Sequence, residues 1–185
     1  MIRAARLLAA ILPLAGLASL WATSVRTYNQ GTEWEVPIQG YDPRDYLRGH
    51  YVEFSYDWPG IANEGFPFPE RLCLEGAAPR LDRARAIAAG EPCAHPVVAG
   101  EGGVYGISAL ARGRLYIGQD RAAALQEQLQ NRDQRGIVTI RQREDGSFTP
   151  VGIRFRPLTP AEIAERDAPP DPLEPTAPPI MTAPE

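Results

Sequence analysis

The sequence predicts an α+β, mostly β protein: an N-terminal transmembrane helix, then a small antiparallel-sheet domain with one amphipathic helix. Three observations carry that expectation. Leu7 to Val25 contains no charged residue. Alternating apolar runs flank Asp145-Gly146, a strong hairpin signal. One window, Arg121 to Arg135, has apolar residues at helical spacing.

The uncharged run spans 19 residues, which as a helix rise roughly 28 Å, close to the hydrocarbon thickness of a bilayer. Arg3 and Arg6 precede it, so the positive-inside rule puts the N-terminus in the cytoplasm. Trp21 suits an interfacial position. The rival reading is a cleaved signal peptide, with Ala22-Thr-Ser24 as a small-x-small site. Both readings export everything after Val25. Residues 1–26 are thus the anchor or signal, 27–156 the domain, and 157–185 an acidic tail. That tail holds nine of the 19 prolines and is expected to be disordered beyond one helical turn over Ala161 to Arg166.

Within the domain, residues 32–38 suggest a first strand. Gly40 to Gly49 reads as loop or a short helical turn, because Pro43 after Asp42 opens a turn. Val52, Phe54 and Tyr56 then alternate with Tyr51, Glu53 and Ser55, the period of a half-buried strand. Arg71 to Glu75 reads as a strand ended by Gly76. Leu81 to Ala89 is ambiguous, since its alanines favour a helix while its order alternates. Gly103 to Ile107 and Arg114 to Ile117 are expected to be short strands. Asp120 would cap the helix and Gly136 end it, with Ala122, Leu125 and Leu129 on one face. The hairpin pairs 137–143 with 148–155.

At 44% hydrophobic the chain has enough apolar material for a core. All 19 of its cations outside histidine are arginines. Beyond Arg6 there remain 17 basic and 23 acidic residues, a net of −6, which is a poor balance for binding DNA or RNA through phosphates. Export would place Cys73 and Cys93 in an oxidising compartment, where they are expected to pair, closing a loop that contributes roughly 3 kcal/mol. Free buried thiols and redox chemistry are the other readings. No nucleophile elbow, phosphate-binding glycine loop, metal motif or Ser-His-Asp set is present, so no catalytic residue, metal or cofactor is assigned.

The densest chemistry lies between Tyr41 and Tyr56. Gly49-His-Tyr51-Val-Glu-Phe54-Ser-Tyr56 resembles the motif of the GDYXXLXY family, and Asp42-Pro-Arg44-Asp45-Tyr-Leu-Arg48 resembles its lead-in. His50 stands where the motif has Asp, and Phe54 where it has Leu. The resemblance runs over residues 1–155, and its order tips 81–89 toward a strand. It implies a bacterial inner-membrane protein with a single span and a periplasm-facing domain. It also implies work beside a multi-pass membrane protein, with no established activity.

Asp42, Arg44, Asp45, Arg48, Gly49, His50, Tyr51 and Tyr56 are therefore the candidate binding residues, with Tyr56 expected in the core. The first functional expectation is an accessory protein that recognises its partner through this loop and strand edge. A hydrolase-like enzyme using Asp45, Arg48 and His50 would need a concave pocket around them. A ligand-sensing domain would need an apolar cavity.

Overall fold

A computed structural model of the chain describes residues 2–44, 51–61, 68–100 and 105–167. Its organising strand is β1 (Thr32–Arg44). Trp34, Val36 and Ile38 point inward and are fully buried, while Glu33, Glu35 and Pro37 point outward. One edge of β1 pairs with β7 (Gln134–Gln142) along Thr32 to Ile38. The other edge meets first β4 (Arg80–Ala86), then β2 (Tyr51–Tyr56) from Ile38 to Arg44. Pro37 sits where that neighbour changes. Its carbonyl accepts the Asp57 N–H at 2.9 Å, and its missing N–H falls between the two partners.

Among the described residues the sheet has eight strands. β3 (Arg71–Ala77) forms a hairpin with β4 and also pairs with β5 (Pro96–Val98). β6 (Arg112–Tyr116) pairs with β2, and β8 (Phe148–Pro157) with β7. The β1–β4 register, Glu35 opposite Arg80, is parallel. The sheet is therefore mixed and curled, where an antiparallel one was expected, because β4 joins β1 from a separate hairpin and runs in the same direction.

Two expected boundaries shift for tertiary reasons. β1 continues through Gln39 to Arg44, where a loop was predicted. Gly40 is the extra residue of a bulge that preserves pairing with β2, so Pro43 lies within the strand opposite Val52. Helix α2 (Gln119–Gln130) is shorter than predicted. Gly118 occupies the cap position and Asp120 falls in the first turn, where its charge suits the helix dipole. Gln134 and Arg135, expected in this helix, pair with Pro157 and Arg156 of β8 instead. Leu125 is buried against the core, while the side chains of Ala122 and Leu129 lie outside the described residues.

The expected strand at 103–107 is a short 3-10 turn at Gly106–Ser108, because Gly106 adopts a left-handed backbone at φ 50°. Residues 101–104 lie outside the described residues. The 81–89 ambiguity resolves as strand β4. The 145–146 turn forms as predicted, with the Asp145 carboxylate accepting the Ser147 N–H at 2.9 Å.

The core is aromatic at its centre. Tyr56 lies 5.1 Å from Trp58 and 5.2 Å from Phe54, ring centre to ring centre. Trp58 donates its indole N–H to the Leu110 carbonyl at 2.6 Å, which fixes the segment entering β6. The expected disulfide is present. Cys73 on β3 bonds to Cys93 in the loop before β5, with Cα atoms 5.8 Å apart.

Helix α1 (Ile2–Asn29) precedes the sheet. Its last turn rests on the β7–β8 hairpin. Arg141 donates to the Tyr28 carbonyl, and Arg143 to the Thr27 carbonyl at 3.2 Å. Such cations satisfy carbonyls that a helix end leaves open and complement its dipole. Above that contact Ile11, Leu12, Leu14, Leu17, Leu20 and Trp21 are all exposed. Among the described residues no helix is long and apolar enough to cross a membrane.

Helix α3 (Pro160–Arg166) lies at the end of the described chain, where a helical turn over 161–166 was expected, and begins one residue earlier. Thr159 and Glu162 form a capping box, with the Thr159 N–H donating to Glu162 at 2.8 Å and the Glu162 N–H to the Thr159 hydroxyl at 3.3 Å. Arg156 adds a two-pronged pair to the same carboxylate at 2.7 Å. Arg156 first, then the Thr159 donors, pull the Glu162 carboxyl down to about 2. A depressed carboxyl stabilises above its ordinary range, and that stability is lost as pH falls from about 4.5 through about 2. Glu162→Ala is expected to lower protection of the Ile163 and Asp167 amides about tenfold at pH 7. The difference from wild type should vanish near pH 2. Equal protection at pH 7 would remove the capping role. Residues 168–185, expected to be a disordered tail, lie outside the described residues.

Candidate functional site

The motif strand β2 has two faces with different work. Val52, Phe54 and Tyr56 are buried, as the period-two pattern predicts. Opposite Phe54 in the register stands Gly113 of β6. A Cβ there would fall 2.4 Å from the Phe54 ring and 2.8 Å from the Tyr56 hydroxyl, so only glycine lets β6 close onto β2.

The other face carries a half-buried polar cluster. Register places Tyr51 opposite Tyr116 and Glu53 opposite Arg114. Arg114 donates to the Glu53 carboxylate at 2.6 Å, and its guanidinium lies 4.1 Å from the centre of the Tyr51 ring and 5.7 Å from that of Tyr105. Tyr105, arriving from the segment before β6, donates its hydroxyl to the same carboxylate. The Tyr51 and Tyr116 rings meet edge to face at 6.0 Å. An arginine between aromatic faces with a carboxylate at its end is a cation–π and charge-assisted arrangement.

The electrostatics fix the protonation states. Glu53 and Tyr116 hold Arg114 firmly charged. Burial, with Glu53 adding to it, pushes the Tyr105 phenol up to about 12. Neither group exchanges a proton near neutrality. The cluster is thus equipped to present donors and aromatic faces rather than to act as an acid–base pair.

Beside it a cleft of about 400 Å³ opens between β6 and β8. Tyr56 and Gly113 form its buried part, β8 contributes Phe148 and Pro150, and Arg112 and Tyr116 stand at its β6 side. Among the described residues the buried Tyr56 hydroxyl has no hydrogen-bond partner. Burial, and secondarily Tyr105, raises its pKa far above the ordinary range, so it stays protonated.

Of the residues singled out in the sequence, Tyr51 belongs to the cluster and Tyr56 to both core and cleft. Asp42 and Arg44 lie on β1 opposite Glu53 and Tyr51, with side chains outside the described residues. Asp45, Arg48, Gly49 and His50 lie outside the described residues altogether, and with them the hydrolase-like constellation. Glu53, Tyr105, Arg112, Arg114 and Tyr116 were not singled out. The alternation Arg112-Gly-Arg-Leu-Tyr116 is a sequence signal for the β6 members, while Tyr105 has none. Among the described residues no group of His, Cys, Asp and Glu is placed to hold a metal ion.

A curled mixed sheet behind an N-terminal helix, with the Tyr51–Tyr56 strand between β1 and β6, defines a small β-rich domain class. The family description "GDYXXLXY protein" matches residues 13–153, and the chain belongs to that family. No curated protein and no solved structure matches it.

Proposed function

We propose that the protein is a membrane-tethered accessory domain that faces the periplasm and recognises a multi-pass inner-membrane protein. The observation that carries the reading is α1, whose apolar side chains from Ile11 to Trp21 are exposed rather than packed on the sheet. Leaving so many large apolar groups in water is unfavourable. An apolar surrounding removes that cost, and the uncharged run from Leu7 to Val25 matches a bilayer in length. The Cys73–Cys93 bond favours an oxidising compartment for the domain.

The same helix ends on Arg141 and Arg143, so the sheet is held at the foot of the tether. Tethering raises the effective concentration of the domain near other membrane proteins, and a modest interface is then occupied. The 42–56 segment supplies that interface, with Tyr51 on its described part.

In-cell crosslinking followed by mild-detergent purification tests the reading, wild type beside Arg48→Ala. A multi-pass membrane protein is expected with wild type and is expected to be lost with the variant, whose circular dichroism stays that of a folded domain. Release of the wild-type protein from membranes by alkaline wash would overturn the tether. An unfolded Arg48→Ala would instead give Arg48 a structural role.

A further inference from the structure

We propose that the cleft between β6 and β8 binds a small carboxylate with an apolar body, held by the Tyr56 hydroxyl and the Arg112 guanidinium. The volume, about 400 Å³, lies in the range of ligand pockets. Its wall is largely apolar, lined by Val98, Ala109, Phe148 and Pro150 together with Tyr105 and Tyr116.

Two polar features of this wall lack a partner among the described residues. Tyr56 is buried among Phe54, Trp58 and Phe148, an environment in which phenylalanine would pack as well without a hydroxyl to satisfy. An unpartnered buried hydroxyl costs about 1–3 kcal/mol. The Tyr56 oxygen adjoins Gly113, and both residues line the cleft. An acceptor arriving through the cleft would complete it.

Arg112 stands two residues from Arg114 on the same strand, but only Arg114 is engaged. Its charge is spent on Glu53, whereas Arg112 is exposed and makes no ion pair among the described residues. The remaining titratable side chains that line the cleft are the tyrosines 56, 105 and 116, which are neutral donors. The site therefore carries one uncompensated positive charge and a buried donor. Carboxylate answers both, since it accepts from a phenol and pairs with guanidinium in two-pronged geometry. The apolar wall takes the rest of the molecule.

Equilibrium dialysis of phenylpropanoate and its neutral amide against the full-length protein in lipid nanodiscs, with empty nanodiscs as reference, tests the site. Saturable binding of the carboxylate is expected, with the amide at least about tenfold weaker. Arg112→Gln and Tyr56→Phe are each expected to weaken it about tenfold. Tyr56→Phe should meanwhile leave the unfolding temperature of the ligand-free protein equal or higher, which separates a ligand contact from a structural one. No binding by wild type, equal binding of the amide, or unchanged affinity in either variant would overturn the proposal.

Discussion

Replacing Gly113 with valine is expected to destabilise the domain by about 3 kcal/mol or more, toward the upper end for overpacked cores. The atoms a Cβ would strike are ring carbons of Phe54 at 2.4 and 2.7 Å, not the tip of a flexible chain. Phe54 is itself wedged 5.2 Å from Tyr56, which packs on Trp58 and Phe148, so it has nowhere to retreat. Either β6 lifts from β2 or the aromatic centre is displaced. Both outcomes break the register that sets Arg114 against Glu53 and opens the cleft. Thermal unfolding followed by near-ultraviolet circular dichroism should show a midpoint lower by about 10 °C. Gly152→Ala is the control, because a Cβ there meets nothing within 4 Å, and its midpoint should hold. A valine at 113 that leaves the midpoint unchanged would mean that Gly113 does not face Phe54.

Removing the disulfide is the second large effect. Cys73→Ala with Cys93→Ala opens a loop whose ends are 20 residues apart, and the expected loss is about 3 kcal/mol. The bond joins β3, next to the core, to the chain entering β5, the last strand in that direction of the sheet. Val97 of β5 is fully buried, so the loss should appear first as exchange of the β5 amides and then in the global midpoint. Reduction of the wild-type protein should reproduce the double variant. Full stability after verified reduction would show that the bond contributes nothing measurable to the stability of the domain. Blocking free thiols in cells, before the protein is denatured, adds a compartment readout. Protein carried across the membrane should offer none, whereas protein retained in a reducing cytosol should offer two.

The sequence was most informative wherever a pattern is local. Alternation across Tyr51–Tyr56 revealed both faces of β2, and Asp145-Gly146 located the β7–β8 turn, because turn chemistry and side-chain period act over a few residues. It was least informative where a distant partner competes. Gln134 and Arg135 have no reason within their own window to leave a helix, yet pairing with β8 claims them. Gly40 looked like a loop residue and is instead the extra residue of a bulge within the β1–β2 pairing. Likewise, the acidic and basic residues before Gly49 drew attention by their density, while the described polar cluster is assembled from β2, β6 and Tyr105. Tyr105 lies 52 residues from its Glu53 acceptor.

By itself, the sequence determined the β-rich class, the family through the Gly49–Tyr56 motif, the uncharged N-terminal run and the two cysteines that pair. Each of these is written in composition, short-range period or a compact motif. Only the tertiary structure decided that β4 runs parallel to β1, that Gly113 must be glycine, and that Tyr56 keeps a buried hydroxyl beside a cleft with Arg112 at its side. Those features come from non-local strand pairing, where side chains far apart in the chain share one face of a curled sheet and their energies depend on neighbours that no local window contains.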